Sequence, residues 1–292
     1  MEKGNYLKNY MKEDIKNNRS KGWYNAKITG HQNEEMVNNL FNDLSFKEDF
    51  EKRLNIDKIK KHTIGGICEK QVECILGGTT HSKTDLSLFT ENESRINISI
   101  KKSKSGQVYL IDVNRFINGF EKQYKKVIPD NVKETLKLYF YGHSNTEELL
   151  NDENIIKGQP KKLIEYQKKR NRLVWESLVN FDNNKAESLI EWFKDNICDI
   201  VDFCFSRGLS KNKEDFVDYV WYINKVGGKN IDALFSIDDI KNIMLYKLEM
   251  IKVGNRNGGS TINLPFGFVQ WHQKQIQFHH KMKVLLEFLE PI

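Results

Sequence analysis

Two short segments of alternating polar and apolar residues constrain the fold of this chain more than any other feature. The apolar positions are Leu86, Leu88, Ile96, Ile98 and Ile100. A run of four polar residues, 91–94, separates the two segments. Alternation with period two is typical of a strand with one buried face, and a short polar connection favours an antiparallel pair. The pattern therefore predicts a β-hairpin within residues 83–102.

The other face of this hairpin carries the polar side chains. If the turn is centred between Asn92 and Glu93, Asp85 lies across from the segment 99–101, and opposed Cβ atoms are about 5 Å apart. The residues on this face are Asp85, Ser87, Asn97, Ser99 and Lys101. A carboxylate and a lysine held by a rigid sheet can bind a divalent metal and orient a hydroxide for attack on phosphorus. The alternative is an ordinary ion pair on a solvated face, worth less than about 1 kcal/mol.

The remaining sequence predicts a mixed α/β chain. Strands are expected in several pieces between residues 71 and 112. Helices are predicted over Asn33–Leu44, Leu163–Phe181, Lys185–Phe205 and Glu214–Val226, with glycine stops at Gly208 and Gly227–Gly228. Ser236–Asp239 is typical of a capping box that opens one more helix. Residues 260–272 and 274–288 predict a strand pair, or a strand and a short helix.

Length and composition limit the class of protein. The 292 residues allow one large domain or two ordinary ones, and the segment 154–161 is the best candidate boundary. There is no long apolar run and no apolar leader after Met1, so we expect no membrane span. The four cysteines are too few for a disulfide scaffold, and their spacing does not fit a zinc module. We expect a reduced, cytoplasmic protein without a resident metal as purified.

Positive charge is concentrated in two blocks, although the formal net charge is only +6. Residues 101–126 contain seven Lys or Arg and two acidic residues, and residues 157–172 contain seven Lys or Arg and one Glu. Both blocks could follow a phosphate backbone. The alternative for the segment 161–172 is the solvated face of a helix.

Two segments near the hairpin bear on its chemistry. Glu34 falls in the first turn of the predicted helix on the same side as Val37 and Phe41, so a cation is a plausible partner; the alternative is stabilisation by the helix dipole. The basic loop that begins at Lys102 contains Gly106, which permits a close approach, and Gln107 and Tyr109, which could bond to or stack on bases.

These residues resemble a known family. The segment 75–88, followed by Ile98–Lys101 and the loop 102–112, is similar to the motif of the PD-(D/E)XK nucleases. It looks most like the HinP/MspI-like type II restriction endonucleases, which cut short G+C tetranucleotides. Segments that echo this subgroup are 30–41, 143–146, 205–208, 259–263 and 276–278. The resemblance implies a mixed sheet flanked by helices, with a helical insertion.

The resemblance also implies roles for individual residues. Asp85, Glu34 and the Ile100 carbonyl would hold Mg²⁺, Lys101 would be the motif lysine, and Ser99 would take the second acidic position. Ser99 departs from the family, which has an acid or an amide there. Metal affinity would then depend on the other ligands and on the DNA phosphate.

By the same resemblance, double-stranded DNA is the substrate and a companion DNA methyltransferase is a partner. Hydrolysis would proceed by in-line attack of water and leave 5′-phosphate ends. Base contacts are expected from Arg256, Asn257, Gln107 and Tyr109, and phosphate contacts from Lys102, Lys104, Lys161, Lys162, Lys168 and Lys169. The chain would be one nuclease domain, 1–292, with a catalytic half (1–160), a helical part (161–250) and C-terminal recognition strands (251–292).

Two other functions fit the sequence. Ser99 is compatible with a catalytically weak DNA-binding protein that keeps the nuclease scaffold. A structure-specific repair nuclease of the same fold would cut junctions or flaps and leave intact duplex alone. The three differ in what they do to a linear plasmid in the presence of Mg²⁺.

Overall fold

The computed structural model describes residues 32–33, 35–64, 71–225, 230–254 and 261–292. The strands are β1 (Ile59–Ile64), β2 (Gln71–Glu73), β3 (Thr79–His81), β4 (Leu86–Thr90), β5 (Arg95–Lys101), β6 (Ser105–Ile111), β7 (Tyr219–Asn224), β8 (Ile231–Ser236), β9 (Lys252–Val253), β10 (Thr261–Leu264), β11 (Gly267–His272) and β12 (Gln275–Lys281). The helices are α1 (Leu44–Leu54), α2 (Val113–Tyr124), α3 (Asp130–Tyr139), α4 (Thr146–Leu149), α5 (Lys161–Arg170), α6 (Trp175–Phe181), α7 (Asn183–Asp195), α8 (Ile197–Val201), α9 (Ile237–Leu245) and α10 (Met282–Phe288). Residues 35–40 are also helical, and Asp202–Arg207 forms a π-helical turn.

The first sheet has five strands in the order β1-β4-β5-β7-β8. The predicted hairpin is confirmed as β4 and β5, with Leu86 opposite Ile98 and Ser87 opposite Asn97. β5 pairs in parallel with β7, whereas the other neighbours are antiparallel. Helices flank this mixed sheet, and the segment between β6 and β7 is a helical insertion. The predicted α/β fold class is therefore confirmed.

The apolar face of the first sheet packs against the two N-terminal helical segments. Its buried side chains are Leu86, Leu88, Ile98, Trp221, Ile223 and Leu234, and the residues of the N-terminal segments that pack with them are Val37, Phe41, Phe50 and Leu54. The Phe50 and Trp221 ring centroids are 4.9 Å apart. Burial of this much apolar surface fixes the register of β4 and β5, because a slip of one residue would turn every side chain to the wrong face.

The second sheet is antiparallel, with the order β6-β12-β11-β10-β9. Its inner face carries Ile111, Ile262, Val269, Ile276 and Phe278, which join the helices of the insertion in the larger core. β6 follows the end of β5 after a short connection, so it links the two sheets directly. The predicted C-terminal strands and short helix are present as β10–β12 and α10.

One predicted helix is wrong. The sequence predicts a helix over Glu214–Val226, but β7 occupies Tyr219–Asn224 in the first sheet. Four consecutive residues, 220–223, are buried because helices or other strands cover both faces. A strand buried on both faces is a continuous apolar run, and periodicity cannot distinguish it from a buried helix.

Other helix boundaries follow local capping. The predicted helix over Asn33–Leu44 is divided, since Asp43 accepts hydrogen bonds from the N–H groups of Ser45 and Phe46 and starts α1 there. The capping box at Ser236 is confirmed: its hydroxyl accepts from the Asp239 N–H at 3.0 Å and donates to the Asp239 carboxylate at 2.6 Å. No helix in the described ranges has both the length and the apolar character needed to cross a bilayer.

Most side chains on the polar face of the hairpin are buried. This differs from the alternative of an ion pair on a solvated face, which the residue spacing alone also allows. Ser87, Asn97 and Ser99 are buried. Asn97 Nδ2 donates to the carbonyls of Glu214 and Phe216, both at 2.8 Å, and its Oδ1 accepts from Ser87 Oγ at 2.8 Å. The segment 213–218 therefore closes one end of this face, and only the end at Asp85 and Lys101 stays open.

Candidate active site

Asp85, Ser99 and Lys101 form a cluster at the open end of the hairpin. Asp85 precedes β4, and its backbone N–H donates to the Ile98 carbonyl at 3.0 Å. Lys101 is the last residue of β5, and its Nζ lies 3.9 Å from Asp85 Oδ2. The structure thus brings together the carboxylate and the ammonium group that the alternation places on one face. Both side chains remain partly exposed, at 28% for Asp85 and 20% for Lys101.

The Ser99 hydroxyl connects these two charged groups. Lys101 Nζ donates to Ser99 Oγ at 2.6 Å, and Ser99 Oγ donates to Asp85 Oδ2 at 3.0 Å. The backbone N–H of Ile100 also donates to Oδ2, at 2.6 Å. Charge-assisted hydrogen bonds of this kind are about twice as strong as neutral ones, so the carboxylate and the ammonium group are held in place before any ligand arrives. The Ser99 hydroxyl therefore links the ammonium group to the carboxylate, although it carries no charge itself.

A pocket of about 230 Å³ opens beside this cluster. Its walls are the hairpin, β6 and the π-helical turn. The lining residues are His81, Ser82, Lys83, Asp85, Ser99, Lys101, Val108, Tyr109, Cys204 and Phe205. The pocket is therefore polar on the hairpin side and apolar on the opposite side, which suits an anionic group that must be partly dehydrated.

A second lysine, which the sequence did not single out, lies in the same pocket. Lys83 Nζ donates to the Val108 carbonyl at 3.3 Å and lies 3.6 Å from the centre of the Tyr109 ring. Burial lowers the pKa of the Lys83 ammonium to about 7, and the nearby charge of Lys101 acts in the same direction. Burial also keeps the Cys204 thiol neutral by raising its pKa. Period two also puts Lys83 on the polar face of the predicted hairpin, two residues before Asp85, but nothing in the sequence shows that its side chain is enclosed by Val108 and Tyr109.

The described residues supply only a minimal set of oxygen donors for a magnesium ion. The two side-chain hydrogen bonds of Asp85 fall on Oδ2, which leaves Oδ1 available, and the Ile100 carbonyl, which accepts from Lys101 Nζ at 3.4 Å, is the other oxygen of the cluster. Within the described ranges there is no group of three His, Cys, Asp or Glu side chains that could hold a metal. Mg²⁺ is often bound through one or two carboxylates together with substrate phosphates. Asp85 and a DNA phosphate would meet that requirement.

Three of the predicted site residues lie outside the described residues: Glu34, Arg256 and Asn257. Five of the predicted phosphate contacts are exposed: Lys104, Lys161, Lys162, Lys168 and Lys169. Arg172, which belongs to the same basic block, is fully buried, with its guanidinium 5.3 Å from the centre of the Tyr139 ring. The second basic block therefore contains both exposed lysines and the buried Arg172.

Lys102, in the first basic block, is half-buried directly after β5, where its carbonyl accepts from Asn224 Nδ2 at 2.7 Å.

Gln107 and Tyr109 point to opposite faces of the second sheet. The β6–β12 pairing shifts register between Phe278, opposite Tyr109, and His279, opposite Gln107, so Val108 is an extra residue in a β-bulge. Tyr109 consequently packs inward on Phe203, with ring centres 5.4 Å apart, and under Lys83. Gln107 faces outward. Residues two apart in a regular strand share a face, and no sequence signal revealed this bulge.

The outward face of the second sheet carries a row of hydrogen-bonded polar side chains. Gln277 Nε2 donates to Gln107 Oε1 at 2.7 Å, and Gln270 Nε2 donates to Gln277 Oε1 at 2.8 Å. The His279 ring stacks on Phe268, with centroids 4.5 Å apart. We call Gln107, Phe268, Gln270, Gln277 and His279 the amide face. Alternating polar residues at 270 and at 275–279 are the sequence signal that could have found it.

A buried histidine, His280, lies close enough to Lys101 for the two charges to interact. His280 Nδ1 lies 3.1 Å from the Tyr222 hydroxyl, and Tyr222 pairs with Lys101 across β7 and β5. Burial, reinforced by the positive charges of Lys101 and His279, lowers the pKa of His280 from 6.5 to about 3. His280 is therefore neutral in the folded protein at neutral pH.

Replacing His280 with asparagine is expected to reduce the acid sensitivity of folding. Between pH 6.5 and about 3 the unfolded chain binds a proton at His280 that the folded chain does not. This group therefore lowers wild-type stability by up to about 1.4 kcal/mol for each unit by which the pH falls through that window. An asparagine side chain cannot take up the proton and can still bond to Tyr222. Urea unfolding at a series of pH values tests this; parallel stability curves for the two proteins would contradict it.

Comparison of the sequence with protein-family models and with curated proteins gave no match. Among solved structures, the chain is similar to the restriction endonuclease MspI in complex with its cognate DNA. The TM-score is 0.44 and the identity is 14%, over 84% of this chain and 83% of that chain. MspI and this chain thus share only a distant likeness.

Proposed function

We propose that this chain is a type II restriction endonuclease that hydrolyses double-stranded DNA at a short G+C-rich site. The observation that carries this proposal is the pocket in which a fixed carboxylate and a fixed ammonium group, those of Asp85 and Lys101, lie 3.9 Å apart. A structural ion pair needs neither the pocket nor the additional hydrogen bonds from Ser99 and Ile100. The resemblance of the hairpin to the PD-(D/E)XK motif supports the same chemistry.

In the proposed reaction the chain's own residues position the reactants. The Lys101 ammonium group donates a hydrogen bond to the attacking water or to a phosphate oxygen, and Ser99 holds that ammonium group in place. Two donors occupy Asp85 Oδ2, so Oδ1 is the oxygen that Asp85, which lines the pocket, can offer to a ligand. A Mg²⁺ ion held by Asp85 and the Ile100 carbonyl would stabilise the negative charge that develops on the phosphate. In-line displacement would leave 5′-phosphate and 3′-hydroxyl ends.

Sequence reading is proposed to come from the amide face. Glutamine side chains can pair bidentately with adenine and accept from or donate to other base edges in the major groove. Gln107 lies on β6, which follows the loop that leaves Lys101, so one short segment of chain joins the cluster to the β6 edge of the amide face. Exposed lysines at the start of α5, Lys161 and Lys162, would bind phosphates without specifying sequence. A companion methyltransferase would protect the host's own sites.

A second candidate is a DNA-binding protein that cuts weakly or not at all. The observation that favours it is the single carboxylate, Asp85, near Lys101 in the described part of the chain. One experiment separates the candidates: linear plasmid DNA is incubated with the protein and MgCl₂, and the products are run on a gel. Discrete fragments support the endonuclease, and retarded but uncut DNA supports the binder. Cutting of flaps or junctions alone would indicate a repair nuclease.

Gln277→Leu is expected to impair recognition without affecting the cluster at Lys101, because the buried Gln277 amide holds the side chains of Gln107 and Gln270 in the positions proposed to contact bases. Loss of one base contact costs about 1–3 kcal/mol, so cutting at the specific site should fall by roughly 10- to 100-fold, whereas binding to unrelated DNA should hardly change. The rate at the wild-type site and the affinity for a fragment that lacks it give the two values. Gln273→Asn, in the exposed β11–β12 turn, is the matched control. If Gln277→Leu lowers cutting at the wild-type site and affinity for the unrelated fragment by the same factor, Gln277 contributes to DNA binding in general and not to sequence recognition.

A further inference from the structure

The ammonium group of Lys83 is held in a fixed position, unlike that of an ordinary surface lysine. Its Nζ donates to the Val108 carbonyl and lies over the Tyr109 ring. Its aliphatic chain passes Gly208, which is left-handed with φ +54°, and a Cβ at Gly208 would lie 2.8 Å from Lys83 Cε. The glycine leaves the space through which the side chain reaches the pocket.

The pocket contains more positive than negative charge. Lys83 and Lys101 both line it, and Asp85 is the one carboxylate among its described lining residues. Asp85 already lies beside Lys101, and no carboxylate in the described ranges is within ion-pair distance of Lys83. A partly buried ammonium group without a carboxylate partner is costly in an empty pocket, and an anionic ligand removes that cost.

We propose that Lys83 is a phosphate-binding residue whose ammonium group contacts an oxygen of the DNA phosphate lying beside Asp85 and Lys101. This inference rests on the proposed function, because it specifies what the pocket binds. Lys83 and Lys101 then approach the phosphate from two walls of the pocket, the segment that leads into β4 and the end of β5. A fixed cation at this place stabilises the extra negative charge of the transition state without moving during the reaction. The alternative is that Lys83 only supports Val108 and Tyr109.

Two substitutions separate phosphate binding from support. Lys83→Met keeps most of the length of the side chain and its packing on Tyr109 but removes the charge. Lys83→Gln also keeps a donor for the Val108 carbonyl, and it serves if the Met variant does not fold. Lys52→Met is the matched control, since Lys52 is exposed on α1, which packs on the opposite, apolar face of the first sheet.

The first readout is the affinity for a plasmid-derived DNA duplex in EDTA, measured over a series of KCl concentrations. Loss of one phosphate contact should make the slope of log affinity against log salt shallower by about 0.9 in both Lys83 variants, with no change in Lys52→Met. The second readout is the rate of plasmid cutting with MgCl₂, which should fall by about 100-fold or more.

A wild-type salt slope in the Lys83 variants would overturn the inference whatever happens to the cutting rate, because the lysine would then be only a support. In that case wild-type protein would still bind and cut DNA, and the proposed function would stand. If the wild-type protein itself neither binds nor cuts the duplex, the proposed function fails and this inference fails with it.

Discussion

Lys101→Met and Asp85→Asn are each expected to lower the rate of DNA cleavage by at least roughly 100- to 1000-fold, the usual effect of removing one group that stabilises the transition state. Met removes the ammonium group that would orient water and phosphate. Asn keeps the shape of Asp85 and its acceptor for Ser99 and Ile100, but it removes the charge that would hold Mg²⁺. Affinity for DNA should change much less than the rate. Rates of plasmid cutting and affinities in EDTA, measured on the same preparations, give the comparison.

The matched controls for these variants are Lys52→Met and Asp49→Asn. Their side chains form an exposed pair on α1, 3.8 Å apart, away from the pocket. Both controls should cut at the wild-type rate, and all four variants should melt within a few degrees of the wild-type protein, because the substituted side chains are partly exposed. Cutting by Lys101→Met at the wild-type rate would remove Lys101 from the site, and the same result for Asp85→Asn would remove Asp85.

Asn97→Leu is expected to destabilise the fold by at least about 3 kcal/mol, because it leaves several buried groups without partners. The Asn97 amide donates to the carbonyls of Glu214 and Phe216, and its oxygen accepts from Ser87 and from Arg95 Nε. Leucine has a similar volume and satisfies none of them. The segment 213–218 would lose its attachment to the hairpin. Equilibrium unfolding in urea measures the loss.

Asn184→Leu is the control for this substitution, since Asn184 is exposed on α7, and its effect should stay within about 0.5 kcal/mol. A loss in Asn97→Leu no larger than in the control would mean that the polar side of the hairpin is open to water, as in the alternative drawn from the spacing alone. The stability difference therefore tests whether this face is built into the core or solvated.

The sequence predicts the hairpin, and its register to within one residue, because one face is strictly apolar. Leu86, Leu88 and Ile98 must all turn toward Trp221 and the N-terminal helices, and this fixes the side on which Asp85, Ser99 and Lys101 lie. A strand with both faces buried carries no such pattern. The sequence therefore predicts a helix over the residues that form β7, the strand that lies beside β5 in the first sheet.

The parts of the site that the sequence did not reveal depend on contacts between distant segments. Lys83 reaches the pocket because Gly208, far along the chain, leaves space for it. The bulge at Val108 turns Tyr109 inward and separates it from Gln107. The amide face requires β6, β11 and β12 to lie side by side, which the order of strands along the chain does not indicate. Such features arise from tertiary packing, which propensity and periodicity do not encode.

Sequencing of the DNA ends left after the wild-type chain has digested a mapped genome in the presence of MgCl₂ is the most direct test of the proposed endonuclease activity. We expect every cut to lie within one short G+C-rich sequence and each end to carry a 5′-phosphate, so that adaptors ligate without prior kinase treatment. Ends at unrelated sequences, or an intact genome in a reaction where the protein is seen to bind DNA, would contradict it.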